Sequence, residues 1–304
     1  MPTACRTLLV DAFTDEPLTG NPAGVVPSAG DLSEDQMQAI ARELGASETA
    51  FVRPASESRH RVRYFTPTQE VDLCGHATIA AFSHLAQTGA LDPGPHEVAT
   101  NVGTVEVRVD DDDAPTVWLT GREPTVDTVD LDYSRVGEAL GIDPAALADV
   151  GADLPPAVAS TGLPWLCLPV NFLEQLGGAA PQPGLVDDLA TEHDAAGVYA
   201  FTFDTLDADS SLHARAFAPG IGVAEDPVTG TAAGACAAYL SHVDAYEDET
   251  AYDDLRFEQG HFVDRPGLVR ARVADDVAVG GTATVALDGT LSVPAPEDDD
   301  IVVA

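Results

Sequence analysis

Phe65-Thr66-Pro67, followed by Asp72-Leu73-Cys74-Gly75-His76-Ala77-Thr78-Ile79-Ala80-Ala81, has a second version half the chain away. That version is Phe217-Ala218-Pro219, then Glu225-Asp226-Pro227-Val228-Thr229-Gly230-Thr231-Ala232-Ala233-Gly234-Ala235-Cys236-Ala237. In each, a strand-like segment ends in Phe-x-Pro. A loop follows, and Gly-His-Ala or Gly-Thr-Ala opens an Ala-rich helix that closes on Leu85 or Leu240. Glycine lets a ligand approach the backbone closely. The unpaired N–H groups of a first helical turn, together with the helix dipole, form an anion site. Two such sites in a duplicated chain predict two similar domains with a carboxylate held between them.

Working outward, Leu8–Phe13 and Gly24–Val26 read as strands around the turn Leu18-Thr19-Gly20-Asn21-Pro22. Asp31–Leu44 reads as an amphipathic helix capped by Ser33 and stopped by Gly45. Thr49–Val52 and Arg61–Phe65 alternate like strands. Val102–Val109, the turn Asp110–Asp113 and Thr116–Thr120 are expected to form a hairpin. The second half repeats the order: strands Val158–Ser160 and Trp165–Val170, helix Leu185–Ala195, strands Gly197–Phe203 and Leu212–Phe217. Strands Leu268–Val273 and Thr282–Leu287 follow its Ala-rich helix. The fold class is therefore α+β, two pseudo-symmetric domains, each a curved, barrel-like sheet around a central helix. The expected boundaries are 1–121 and 122–287, with 288–304 a candidate to complete the first domain.

The duplication is imperfect. Aligning Ser47-Glu48-Thr49-Ala50-Phe51 with Gly197-Val198-Tyr199-Ala200-Phe201 sets Glu48 against a valine. The second half instead brings Glu225-Asp226 where the first has Asp72. A purely structural repeat needs no such asymmetry.

Composition removes several mechanisms. The 304-residue chain carries 51 acidic and 14 basic residues, a net charge of −37. All the basic residues are arginine, which excludes a lysine Schiff base, hence ordinary pyridoxal-phosphate chemistry, and a P-loop lysine. Such acidity repels nucleic acid and anionic membranes and fits a surface adapted to high salt. The hydrophobic fraction of 45% suffices for real cores. Cys5, Cys74, Cys167 and Cys236 are widely spaced and read as reduced thiols of a cytoplasmic protein. No basic-plus-apolar leader and no run long enough for a membrane span is evident.

Read singly, each polar candidate has an ordinary alternative. Glu48 reads as an exposed loop glutamate, Asp226 as a helix cap, His76 as a histidine bonded to a carbonyl, and Asn21 as turn chemistry. Asp72, Cys74 and His76 alternate along one loop but match no zinc spacing. No nucleotide fingerprint follows a strand. Neither metal nor cofactor is expected.

Taken together, the pieces resemble the phenazine-biosynthesis (PhzF-like) family of the diaminopimelate-epimerase superfamily. They are Val10–Phe13, Gly20–Val25, Ser47–Val52, Phe65–Pro67, Asp72–Thr78, Glu225–Ala232 and Glu258-Gln259-Gly260, in family order and over nearly the whole chain. The resemblance implies two β-rich domains, a cofactor-independent isomerase acting on a small carboxylate, and a homodimer. It implies Glu48 as the acid/base group and His76 and Asp226 as its polar supports. Gly75, Ala77, Gly230 and Thr231, with Asn21 and Ser47, are the expected substrate-binding residues. Epimerases of the superfamily use two opposed thiols. Here Cys74 stands at the first position and Thr229 at the second, which disfavours a two-thiol racemase. A two-base epimerase and a non-catalytic binding protein remain the alternatives.

Overall fold

A computed structural model describes residues 3–56, 59–111, 114–150 and 154–295. They fall into two compact units. The first comprises the chain to Leu18, Pro22–Val117 and the chain from Thr282; the second comprises Thr19–Asn21 and Trp118–Gly281.

The first unit begins with β1 (Thr3–Ala12), β2 (Asn21–Val26), α1 (Glu34–Leu44), β3 (Thr49–Ser56), β4 (Arg59–Phe65) and β5 (Glu70–Val71). It continues with α2 (Gly75–Gln87), β6 (Gly94–Thr100) and β7 (Gly103–Val109). Helix α1 starts where its chemistry says it should. Ser33 and Gln36 form a reciprocal capping box, and Gly45 closes the helix at φ 68°. Its apolar face packs Met37, Ile40 and Ala41 into a core with Phe51 and Phe65.

The second unit runs β8 (Val117–Thr120), β9 (Thr125–Thr128), α3 (Tyr133–Leu140), α4 (Pro144–Ala148), β10 (Ala157–Ser160), β11 (Pro164–Pro169) and α5 (Leu173–Gly177). Then come α6 (Pro183–Glu192), β12 (Val198–Thr202), β13 (Leu212–Ala218), β14 (Val223–Asp226) and α7 (Gly230–His242). It ends with β15 (Leu255–Gln259), β16 (Gly267–Val273) and β17 (Val277–Gly281). The last strand, β18 (Ala283–Val293), returns to the first unit and pairs antiparallel with β1, from Ala12↔Ala283 to Thr3↔Val293.

The strand pairings repeat. β2 lies parallel to β3 across α1, as β11 lies parallel to β12 across α5 and α6. β3–β4–β5 are antiparallel in series, and so are β12–β13–β14. β4 is parallel to β6 and β13 to β15, each followed by an antiparallel partner, β7 or β16. Within each unit the sheet folds over one Ala-rich helix. Residues 77–85 of α2 and 232–240 of α7 are buried on every side, as befits a helix without a polar face.

Several elements differ from the sequence reading. Strand β7 has β8 as a neighbour, as expected across the Asp110–Asp113 turn, and also β6, which the sequence reading missed, with Thr100↔Gly103 at the tip of that second hairpin. The expected Asp110–Asp113 turn is marked by Asp110 N–H donating to Thr116 O at 3.0 Å; Asp112 and Asp113 lie outside the described residues. Helix α6 stops at Glu192, short of Ala195, because the chain turns at Asp194 with φ 53°. Helices α3 to α5 were not anticipated. The first two carry ordinary signals, Asp132 and Asp143 as N-caps and Gly141 left-handed after α3. Among the described residues no helix is long and apolar enough to cross a membrane.

Candidate active site at the two helix starts

In the first unit, the parallel pairing of β2 and β3 is extended by Gly24 N–H donating to Glu48 O at 2.9 Å. That bond puts Glu48 at the mouth of β3. Its Oε2 lies 3.4 Å from His76 Nε2, the second residue of α2. Ser47 Oγ is 3.3 Å from the same nitrogen. On the other side of the ring, Cys74 Sγ is 3.4 Å from Nδ1. With its hydrogen on Nε2, the ring donates towards Glu48 and accepts from the thiol at Nδ1. Cys74 is the N-cap, yet its side chain does not cap the helix. The N–H groups of Gly75, His76 and Ala77 therefore have no capping side chain. Thr78 stiffens this turn by donating to Cys74 O at 2.7 Å. Tyr64 supports Thr78 at 2.7 Å from inside the core, where burial raises its phenol pKa and keeps it protonated.

In the second unit, Thr229 is the corresponding N-cap of α7, again with no side-chain cap bond. Its hydroxyl donates to Asp226 Oδ2 at 2.6 Å. Asn21 Nδ2 donates to Asp226 Oδ1 at 3.0 Å and to Val228 O at 2.7 Å. Thr231 Oγ1 accepts from the Trp165 indole at 3.1 Å.

The strand registers correct two alignments. Thr49 pairs with Phe65, and Val198 with Phe217. Glu48 therefore corresponds to Gly197, one residue from the valine expected. A Cβ at Gly197 would collide with Phe217 O and lie 2.8 Å from the Trp165 ring. The second unit has no room for a side chain where the first has its carboxylate. Likewise Tyr64 pairs with Val71 and Ala216 with Asp226. The counterpart of Asp226 is therefore Val71, not Asp72, which is exposed.

The same register makes Glu225 the twin of Glu70. Both are held by a forked arginine. Arg63 reaches Glu70 with two bonds of 2.7 Å, and Arg215 reaches Glu225 at 2.8 and 2.7 Å. Each guanidinium also lies over the phenylalanine of its Phe-x-Pro, at 5.1 and 5.0 Å. These clasps are the duplicated structural feature, and sequence reading missed them. Glu225 belongs to the clasp, and Asp226 alone faces the helix start.

Each residue of Glu258-Gln259-Gly260 has its own task. Glu258 accepts from Leu206 N–H at 2.9 Å, Asp207 N–H at 2.7 Å and His213 Nδ1 at 2.9 Å, pinning a loop. Burial raises its pKa, but these donors outweigh burial and leave it lowered. Gly260 sits at φ 85° where a Cβ would strike Arg265 O. Gln259 holds Thr229, as described below.

Burial lowers the pKa of His213, Glu258 partly opposes it, and nearby His261 and Arg215 reinforce it. His261 is lowered by burial too. The unfolded imidazoles titrate near 6.5. Below that pH the unfolded chain takes up protons that the folded one refuses. Stability from this cluster is thus full above about 6.5 and drains as pH falls towards the folded values. Thermal unfolding at constant high KCl should fall in midpoint from pH 7.5 to 5.5. His213→Gln should flatten that slope; an unchanged slope would exclude the histidine cluster as its source.

Glu48, Cys74 and His76 could also chelate, since one ligand atom from each lies within 4.8 Å of the others. This is not the Asp72 set weighed from sequence.

The pattern of conserved features described as phenazine biosynthesis-like protein matches residues 10–289. The chain belongs to the phenazine biosynthesis-like family. It is 35% identical to "Uncharacterized isomerase YfhB" of Bacillus subtilis (strain 168), covering 94% of this chain and 95% of that one. A Deinococcus radiodurans relative named "Uncharacterized isomerase" is 37% identical, with 92% of each covered. Among solved structures, the phenazine biosynthesis protein, PhzF family, of Bacillus anthracis superimposes with a TM-score of 0.86 at 28% identity, covering 96% of this chain and 100% of that one. A hydroxyproline epimerase from Agrobacterium vitis, solved with trans-4-OH-L-proline, shares the fold at TM-score 0.55 and 14% identity, covering 96% and 93%. This member of the phenazine biosynthesis-like family is an enzyme of isomerase type.

Proposed function

We propose that the protein relocates a proton on a small carboxylate-bearing substrate, without metal or organic cofactor, using Glu48 as the one acid/base carboxylate. The observation that carries this reading is the pairing of Glu48 with His76 at an uncapped helix start, with its counterpart Gly197 closed to any side chain. The N–H groups of Gly75–Ala77 and of Gly230–Ala232, each at a helix start without a side-chain cap, suit carboxylate oxygens and the charge of an enolate-like transition state. Glu48 takes a proton from a carbon next to the carboxylate or an enol system, then returns it to a different carbon. His76 orients Glu48. Ser47, Asn21, Asp226 and Thr231 hold the substrate's polar groups.

A two-base epimerase with Cys74 as one base has one observation in its favour, the imidazole against the thiol. The matching hydroxyl of Thr229 argues against it, because its hydrogen is already given to Asp226. The expectation of a cytoplasmic homodimer rests on sequence and resemblance.

The test is a screen of small carboxylic acids in D₂O, read by NMR. Deuterium appearing at a new carbon supports proton relocation. Deuterium at one stereocentre with inversion would support the epimerase instead. EDTA should leave the rate unchanged, and added Zn²⁺ should inhibit by engaging Glu48, Cys74 and His76. Loss of exchange on chelation, restored by a divalent ion, would overturn the metal-free reading.

A further inference from the structure

Gln259 lies behind the start of α7, almost wholly buried at 1% exposure. Its Oε1 accepts the Thr229 backbone N–H at 3.0 Å. A backbone N–H can only donate, so this contact fixes which end of the amide is oxygen. The other end, Nε2, donates to Asp226 O at 2.8 Å and to Thr229 Oγ1 at 3.0 Å. Thr229 Oγ1 then has a single hydrogen to give. Asp226 Oδ2 receives it at 2.6 Å, within the range of a charge-assisted O–H···O⁻ bond. The three groups thus form a chain with one direction: amide N–H to threonine hydroxyl, threonine O–H to carboxylate. Asn21, itself buried, supplies the donor to the other carboxylate oxygen.

We propose that Gln259 is a positioning residue: by donating to Thr229 Oγ1 it locks that hydroxyl as a donor, and so presents Asp226 to the substrate as an acceptor-only carboxylate. The proposal rests on reading Asp226 as part of the site. Without the amide hydrogen, the Thr229 hydroxyl gains a second orientation and stops favouring the charged form of Asp226. The locked chain also means that the group the substrate turns towards Asp226 must be a hydrogen donor, because two bare acceptors would repel.

The effect can be read without a substrate. Protein labelled with ¹³C at the aspartate carboxyls is titrated by NMR, with Asp226 assigned from Asp226→Asn. Gln259→Met should raise the proton affinity of Asp226 about tenfold, a shift of roughly one pH unit. Thr229→Val should raise it by a similar factor, and the double variant no further, because Gln259 works through the hydroxyl. Thr229→Ser should restore the native titration. Gln259→Glu keeps the side-chain volume and serves if the methionine variant does not fold; it too should raise the affinity.

An Asp226 titration unmoved in either Gln259 variant, or shifts that add in the double variant, would overturn the proposal. The functional reading is tested separately. If Asp226→Asn leaves deuterium exchange intact while Gln259→Met moves the Asp226 titration, the chain of bonds stands and the catalytic assignment of Asp226 falls. If exchange needs Asp226 but its titration ignores Gln259, the reverse holds. Where both hold, Gln259→Met should lower kcat and shift its pH profile in step with the measured Asp226 titration, which a merely structural role would not do.

Discussion

Glu48→Gln should abolish proton exchange while leaving carboxylate binding within a few-fold of the native protein. The amide keeps the shape and can still bond to His76, but it cannot take up and return a proton near neutral pH. Acid–base groups of this kind contribute about 10²–10⁴-fold, and Glu48 Oε2 is the carboxylate oxygen set 3.4 Å from His76 Nε2. Cys74→Ser should cost far less. The thiol touches the rear nitrogen of the imidazole, and serine retains a donor there. Exchange is followed by NMR in D₂O, and binding by titration with the same acid. If Cys74→Ser removes exchange and Glu48→Gln does not, the base is the thiol and the enzyme is a racemase of a different type.

The second large effect is on folding. Thermal unfolding followed from dilute buffer to molar KCl should show a large rise in midpoint. The chain carries 37 excess negative charges. Most of its arginines are already engaged with carboxylates, as in Arg6–Asp288, Arg59–Glu97 and Arg135–Glu192. These exposed pairs add little stability each, and they leave the surplus acids to repel one another. The screening length falls from about 10 Å at 0.1 M to about 3 Å at 1 M salt, so the compact state gains most from added salt. Sucrose also stabilises folded proteins, by exclusion from their surfaces, but it does not screen charge. A midpoint that responds equally to KCl and to sucrose of matched osmolality would refute screening as the cause. We infer a protein suited to concentrated salt, and a flat KCl profile would end that inference.

The twin helix starts, the cap at Ser33 and the strands around them were legible because each rests on local chemistry: glycine, small residues, caps and alternation. The registers were not. Ala50-Phe51 and Ala200-Phe201 look alike, and matching them displaced Glu48 by one position. Backbone hydrogen bonds set the true register, and those involve partners such as Phe65 and Phe217 that lie far along the chain. Gln259 was visible as part of a motif, but its role depends on which end of its amide meets Thr229. Trp165 was legible as the start of a strand, but neither its place over Gly197 nor its indole bond to Thr231 was. The Arg63 and Arg215 clasps were missed because the arginines and Glu70 lie outside the motifs, and Glu225, although inside one, shows nothing of its partner in the sequence. For the candidate site, residue types could be read in advance, whereas their neighbours had to be seen.

The return of β18 to β1 has a consequence for how the protein is made. β1 (Thr3–Ala12) leaves the ribosome before any of the second unit's Trp118–Gly281, yet its partner spans Ala283–Val293, after all of it. The first unit therefore cannot close its sheet until the second has been synthesised. The second unit draws on Thr19–Asn21 as well as Trp118–Gly281, and all of these are available earlier. The half that holds Glu48 thus begins ahead of the other in synthesis, yet is the last to have all its strands available.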